Sequence, residues 1–231
     1  MLQPSLMSRC YHNVVFRATL LVAPFFFFGL INGTYNAALA NSPALFWLAD
    51  IGGWIFLPSI ILFLLYRQYG FRLSDYGLTP LGSVHQRREL MNWTLLATFI
   101  LSIYYFAFGW LAWQFTDDVE PLFGYAQVVP DGMMHYVVVF YLAITAAVFE
   151  EIFYRGLIWR LVYTASSIKH KSFIYILVSS SLFGLVHWEN GSAEVFSATI
   201  FGFVACVLYL RLRNLLPLMV AHFFVDVINF V

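Results

Sequence analysis

Residues 143–162 read AITAAVFEEIFYRGLIWRLV, and the fold turns on where this stretch lies. It is apolar enough for lipid, yet it carries Glu150, Glu151 and Arg155. A charged side chain at a bilayer centre costs roughly 2.5–3.5 kcal/mol on insertion scales, so such groups face a protein interior or a wet cavity. The rest of the chain says that lipid is the solvent. Of its 231 residues, 61% are hydrophobic and 10% charged, and the mean hydropathy is +0.78. Soluble domains are about 45–50% apolar and about 25% charged. The chain is therefore a polytopic membrane protein whose partners begin with the lipid bilayer. Its net charge of zero gives no electrostatic case for nucleic acid.

Working outward, apolar runs of spanning length fall at about 18–40, 44–66, 93–115, 134–159, 173–188, 195–210 and 215–231. They predict an all-α bundle of about seven transmembrane helices in a single integral membrane domain, 1–231. Gly and Pro punctuate the joins, as at Asn32-Gly33, Ser42-Pro43, Pro130-Asp131-Gly132 and Asn190-Gly191. The polar stretch 67–90 reads as a surface loop or short interfacial helix, with Arg87, Arg88 and His85 as headgroup contacts. Lysines and arginines occupy alternate connections, while Asp117, Asp118, Glu120, Asp131, Glu189 and Glu194 occupy the others. This asymmetry places the amino terminus inside. The first apolar run could be a cleaved signal peptide, but from Val14 to Leu39 it is long for one and reads as a retained helix. Cys10 and Cys206 have neither disulfide nor metal spacing and read as free thiols. The sequons at Asn32 and Asn190 fall on expected outer loops.

The ionisable residues sort by helical spacing. Glu151 and Arg155 are four apart and share a face as an ion pair. Glu150 is about 100° around the helix and is left free for chemistry. Downstream, SSSLFGLVHWENG places His187 four residues after Phe183, and VAHFFVDVINF places His222 four residues before Asp226. Cofactor and metal sites in bundles are built from such facing side chains. The cavity is expected between the fourth, fifth and seventh helices. Counting at about 1.5 Å per residue puts Glu150 about 15 Å above Arg160 and His187 about 24 Å above Lys171, a mismatch of roughly 9 Å.

Glu150-Glu151-x-x-x-Arg155, Phe183-x-x-x-His187 and His222-x-x-x-Asp226, in that order, resemble the motifs of the CAAX-processing and bacteriocin-processing (CPBP) intramembrane endopeptidases. The likeness covers about 145–226, within a motif-bearing core of about 134–231. The helices at about 14–115 carry no motif, and the resemblance implies that they are variable scaffold and part of the substrate cavity.

The resemblance implies a protease that cleaves membrane proteins or peptides. Glu150 and His187 would activate water, His222 and Asp226 would stabilise the oxyanion, and Glu151 and Arg155 would brace the helix, with Phe183 as support. A desolvated carboxylate can serve as the base, and donors must meet the oxyanion. The family's last motif often ends in Asn. Asp226 in its place is either protonated, an orienter of His222, or a helper to a metal. Two His and a Glu also form a known zinc set, so Glu150, His187 and His222 are the candidate ligands of a divalent metal such as zinc. A proton-coupled transporter and a non-catalytic membrane scaffold are the alternatives. A transporter should show repeat symmetry and ionisable groups in both halves, whereas the motif residues cluster in one. Eukaryotic relatives trim prenylated carboxyl termini. Many prokaryotic relatives act on bacteriocin leaders or sorting signals. The short chain, with no retention signal, reads as a prokaryotic inner-membrane protein.

Overall fold

The computed structural model describes residues 6–79, 83–114, 122, 128–129, 132–165 and 168–230. Among them there is no strand. Helix α1 (Leu6–Leu30) meets α2 (Asn32–Leu39) at Ile31, with a 52° bend between their axes. Helix α3 (Pro43–Ile51) starts with proline in its first turn, where the missing N–H costs nothing. It continues through a π-helical segment, Gly52–Phe56, into α4 (Leu57–Tyr69). Gly70 ends α4 in the left-handed region at φ 68°, where an L side chain would be strained.

Helix α5 (Val84–Trp113) opens on a capping box between Ser83 and Gln86. The stretch 67–90, expected as a surface loop or short interfacial helix, is thus in its last part the first turns of α5. The cap and the run after it are compatible with a helix, and hydropathy alone hid them. Helix α6 (Met133–Glu150) passes into a π-helical segment, Glu151–Leu157, and then α7 (Ile158–Thr164). Helices α8 (Lys171–Leu185), α9 (Ser192–Leu212) and α10 (Leu216–Phe230) complete the bundle.

Among the described residues, four helices are long and apolar enough to cross a membrane, or five if α1 and α2 form one bent span. Helices α8 and α10 are apolar but shorter. At about 1.5 Å per residue a fifteen-residue helix covers about 22 Å, less than the roughly 30 Å of a hydrocarbon core. The expected count of seven spans is therefore not reached by this measure. Large apolar side chains such as Phe16, Leu48, Leu95 and Phe99 point outward, as a lipid-facing surface requires.

Close helix approach comes from glycine. A Cβ on Gly184 of α8 would run into Thr199 of α9 and lie 2.8 Å from the Val195 carbonyl oxygen, and one on Gly202 would lie 3.1 Å from Ser180 Cα. Small residues let membrane helices touch backbone to backbone. A Cβ on Gly156 would lie 2.8 Å from Tyr76 Cβ. The short turn Leu73–Tyr76 packs there against the π-helical segment. The turn is held from the other side by Tyr209, whose hydroxyl donates to the Tyr76 carbonyl at 2.8 Å.

Cys206 is buried and free, and its thiol donates to Ser179 Oγ at 3.1 Å. The side chain of Cys10, and the acidic connection Asp117, Asp118, Glu120 and Asp131, lie outside the described residues.

Candidate active site

The EE pair sits where α6 turns into the π-helical segment, a distortion frequent at functional sites. Glu151 and Arg155 are fully buried and meet at 3.1 Å between Oε1 and a guanidinium nitrogen. The guanidinium carbon lies 4.1 Å from the centre of the Phe183 ring, a cation–π contact. Phe183 stacks in turn on Phe201, at 5.6 Å between centroids, and Phe201 lies 5.0 Å from the His222 ring. Phe183 therefore links the first motif to the last. Ser179 of α8 donates to the Tyr154 carbonyl at 2.7 Å and ties α8 to the π-helical turn.

His222 joins both carboxylates of the first motif. Its Nδ1 lies 2.9 Å from Glu151 Oε1, while its Nε2 lies 3.8 Å from Glu150 Oε2 and 3.5 Å from Asp226 Oδ1. Because Glu151 already holds the Nδ1 side, Asp226 does not orient the ring from behind. It approaches the working nitrogen, on the same side as Glu150.

His187 lies just past the end of α8, and its Nδ1 is 2.7 Å from the Phe183 carbonyl oxygen. A carbonyl only accepts, so Nδ1 carries the proton and Nε2 is left as the ring's acceptor.

One cavity of about 360 Å³ is lined by Glu150, His187, His222 and Asp226 together. Glu151 and Arg155 lie behind it, packed in the core. The expected depth mismatch disappears for a structural reason. Arg160 does not mark the helix end: it is half-buried with its guanidinium over Phe71, 5.1 Å from the ring centre, and α7 runs on to Thr164. Counted from Thr164, Glu150 is about 21 Å up, against about 24 Å for His187 from Lys171.

The walls exceed the three helices expected. Besides α6, α8 and α10, they include Glu194 and Phe201 of α9, Tyr105 of α5, and Asn32, Asn36 and Asp50 from the amino-terminal helices. Asn32 is a clamp. Its amide donates to Glu189 Oε1 at 3.2 Å, and its carbonyl oxygen accepts from Tyr35 at 2.7 Å and from Trp54 at 3.4 Å. The sequon asparagine expected on an outer loop is thus buried at the start of α2. Burial holds the Glu189 carboxyl above its ordinary range, against the lowering hydrogen bonds of its own backbone and Asn32. None of these residues belongs to a motif. The cost of a polar side chain in an apolar run was the available signal for Asn32, Asn36 and Asp50.

Among the described residues, no group of three or more His, Cys, Asp or Glu is arranged to hold a metal ion. The candidate zinc ligands Glu150, His187 and His222 share the cavity without forming such a set. Both ring nitrogens of His222 already face carboxylates. The residues do not fit the metal, and no step is routed through one.

Comparison with known proteins agrees with the motif order. Residues 132–228 match the family model described as type II CAAX prenyl endopeptidase, Rce1-like. The matched stretch holds all three motifs, so this part of the chain is similar to that family. No curated protein and no solved structure matches the chain.

Proposed function

We propose that the chain is an endopeptidase that hydrolyses peptide bonds of membrane-associated polypeptides inside this cavity. The observation that carries the reading is His222. It bridges the two carboxylates of the first motif while lining one cavity with Glu150, His187 and Asp226.

Glu150 takes a proton from a water molecule, and His187 Nε2 accepts that water's second hydrogen bond and aims it. The resulting hydroxide adds to the scissile carbonyl carbon. His222 Nε2–H donates to the oxyanion that forms, a contact made in the transition state and not before. Asp226 shares that proton in the resting site. Protonated Glu150 then delivers its proton to the leaving nitrogen as the C–N bond breaks. Glu151 holds His222 and Arg155 in place. The enzyme sits in a prokaryotic cell membrane with its amino terminus cytoplasmic, in line with the lysine and arginine asymmetry.

The test is cleavage by purified protein in nanodiscs of two fluorogenic reporters, a farnesylated CAAX peptide and an unprenylated membrane-spanning peptide. Cleavage of either that is lost in Glu150→Gln and survives chelator supports the reading. Cleavage preserved in Glu150→Gln, or abolished by chelator and restored by zinc, overturns it.

A further inference from the structure

The cavity holds carboxylates and unpaired hydrogen-bonding groups that the proposed chemistry does not use. Among the described residues, five carboxylates line it, Asp50, Glu150, Glu189, Glu194 and Asp226, with two histidines and no lysine or arginine. Glu150 and Asp226 belong to the chemistry, and Glu194 is engaged by Tyr105 at 2.9 Å and by Ser197.

Asp50 and Glu189 share a different pattern. Asp50 Oδ2 accepts from the Tyr141 hydroxyl at 2.6 Å, and Glu189 Oε1 accepts from Asn32. The other oxygen of each, Asp50 Oδ1 and Glu189 Oε2, is buried without a hydrogen-bond partner. Asn36 is 1% exposed, lines the same cavity, and has no partner for either its amide nitrogen or its amide oxygen. Buried polar atoms left unpaired are costly. Four of them, on three side chains of one cavity, are available to a polar ligand.

The chemistry of a fitting ligand follows from the groups that lack a protein partner. Two fixed carboxylate oxygens lack donors among their described neighbours, and a cationic donor suits them best. An amide that offers both a donor and an acceptor matches the C=O and N–H of a peptide unit. We propose that Asn36, Asp50 and Glu189 form a substrate subsite that takes a lysine or arginine side chain, with Asn36 gripping the adjacent peptide backbone. Each carboxylate is held on one oxygen by a neutral neighbour, so the other is aimed before the substrate arrives. This rests on the reading of the chain as a peptidase and makes it selective for polypeptides with a basic residue near the scissile bond.

Binding separates the two ideas. Glu150→Gln protein in nanodiscs is titrated with fluorescent membrane peptides that differ at one position, lysine against norleucine or arginine against citrulline, with that position scanned along the peptide. At one register the basic peptide should bind on the order of tenfold tighter. The ratio should fall close to one when Asp50→Asn is added, and should drop part-way with Glu189→Gln. Asp50→Asn keeps the volume and an oxygen for Tyr141, and a thermal melt checks that it is folded. If it is not folded, Glu189→Gln and Asn36→Leu carry the same comparison. Equal binding of basic and neutral peptides at every register overturns the subsite, as does a preference that survives all three substitutions. A basic preference in binding, with no cleavage by the wild type, would leave the subsite standing and sink the peptidase.

Discussion

Two adjacent glutamates end up in different worlds, and substitution should show it. Glu150 faces the cavity while Glu151 is fully buried between Arg155 and His222. Glu150→Gln removes a base but little volume. Cleavage should fall by about 100-fold or more with the melting temperature nearly unchanged. Glu151→Gln leaves Arg155 unpaired in the core, a loss of about 3–5 kcal/mol for a buried pair. A thermal melt in detergent checks both, and the opposite ranking would reverse the roles. Asp226 is a subtler case. Its Oδ1 lies 3.5 Å from the nitrogen that must donate to the oxyanion. Asp226→Asn removes a negative charge opposite that oxyanion and adds a donor, so activity should stay within about tenfold of wild type. A loss beyond about 100-fold would mean that the carboxylate itself is needed.

At the scale of elements, the helix register was legible and the breaks in it were not. Spacing alone paired Glu151 with Arg155, and the structure has them at 3.1 Å. Spacing also paired His222 with Asp226, yet the shortest contact of that ring is to Glu151, on another helix. A contact between helices has no period in the sequence. The 52° bend at Ile31 and the π-helical segment at Glu151–Leu157 were equally hidden. Hydropathy carries neither of them, nor the packing of one helix on another. Glycines are where that packing can be tested. Gly184→Val should cost about 1–3 kcal/mol, because its Cβ would meet Thr199 and the Val195 carbonyl across the α8–α9 contact. Gly52→Ala meets nothing within 4 Å and should be neutral or slightly stabilising. Melting temperatures of the two variants decide it, and equal losses would contradict the packing described.

The whole molecule must keep water inside lipid, and this is its most exposed claim. Many large apolar side chains of the described residues face outward, whereas the cavity carries five carboxylates, two histidines and several amides. Only a wet cavity makes that polarity affordable. Residues within a turn of the motif side chains, such as Ala147, Leu185 and Val225, are the first places to probe it. Val225 does line the cavity, but Ala147 is packed in the core and Leu185 is half exposed on the outer surface. The probes should therefore move to Ala146 and Val186, each one residue along its helix and on the cavity wall. In nanodiscs, with Cys10 and Cys206 replaced by alanine, single cysteines at 146, 186 and 225 should react with a water-soluble thiol reagent. Cysteines at 95 and 99, on the outward face of α5, should react at least about tenfold more slowly, because a charged reagent does not enter hydrocarbon. A bulky reagent should discriminate further, since the cavity holds about 360 Å³. Protection of all five positions would mean a dry interior, and a dry interior cannot supply the water that peptide hydrolysis consumes.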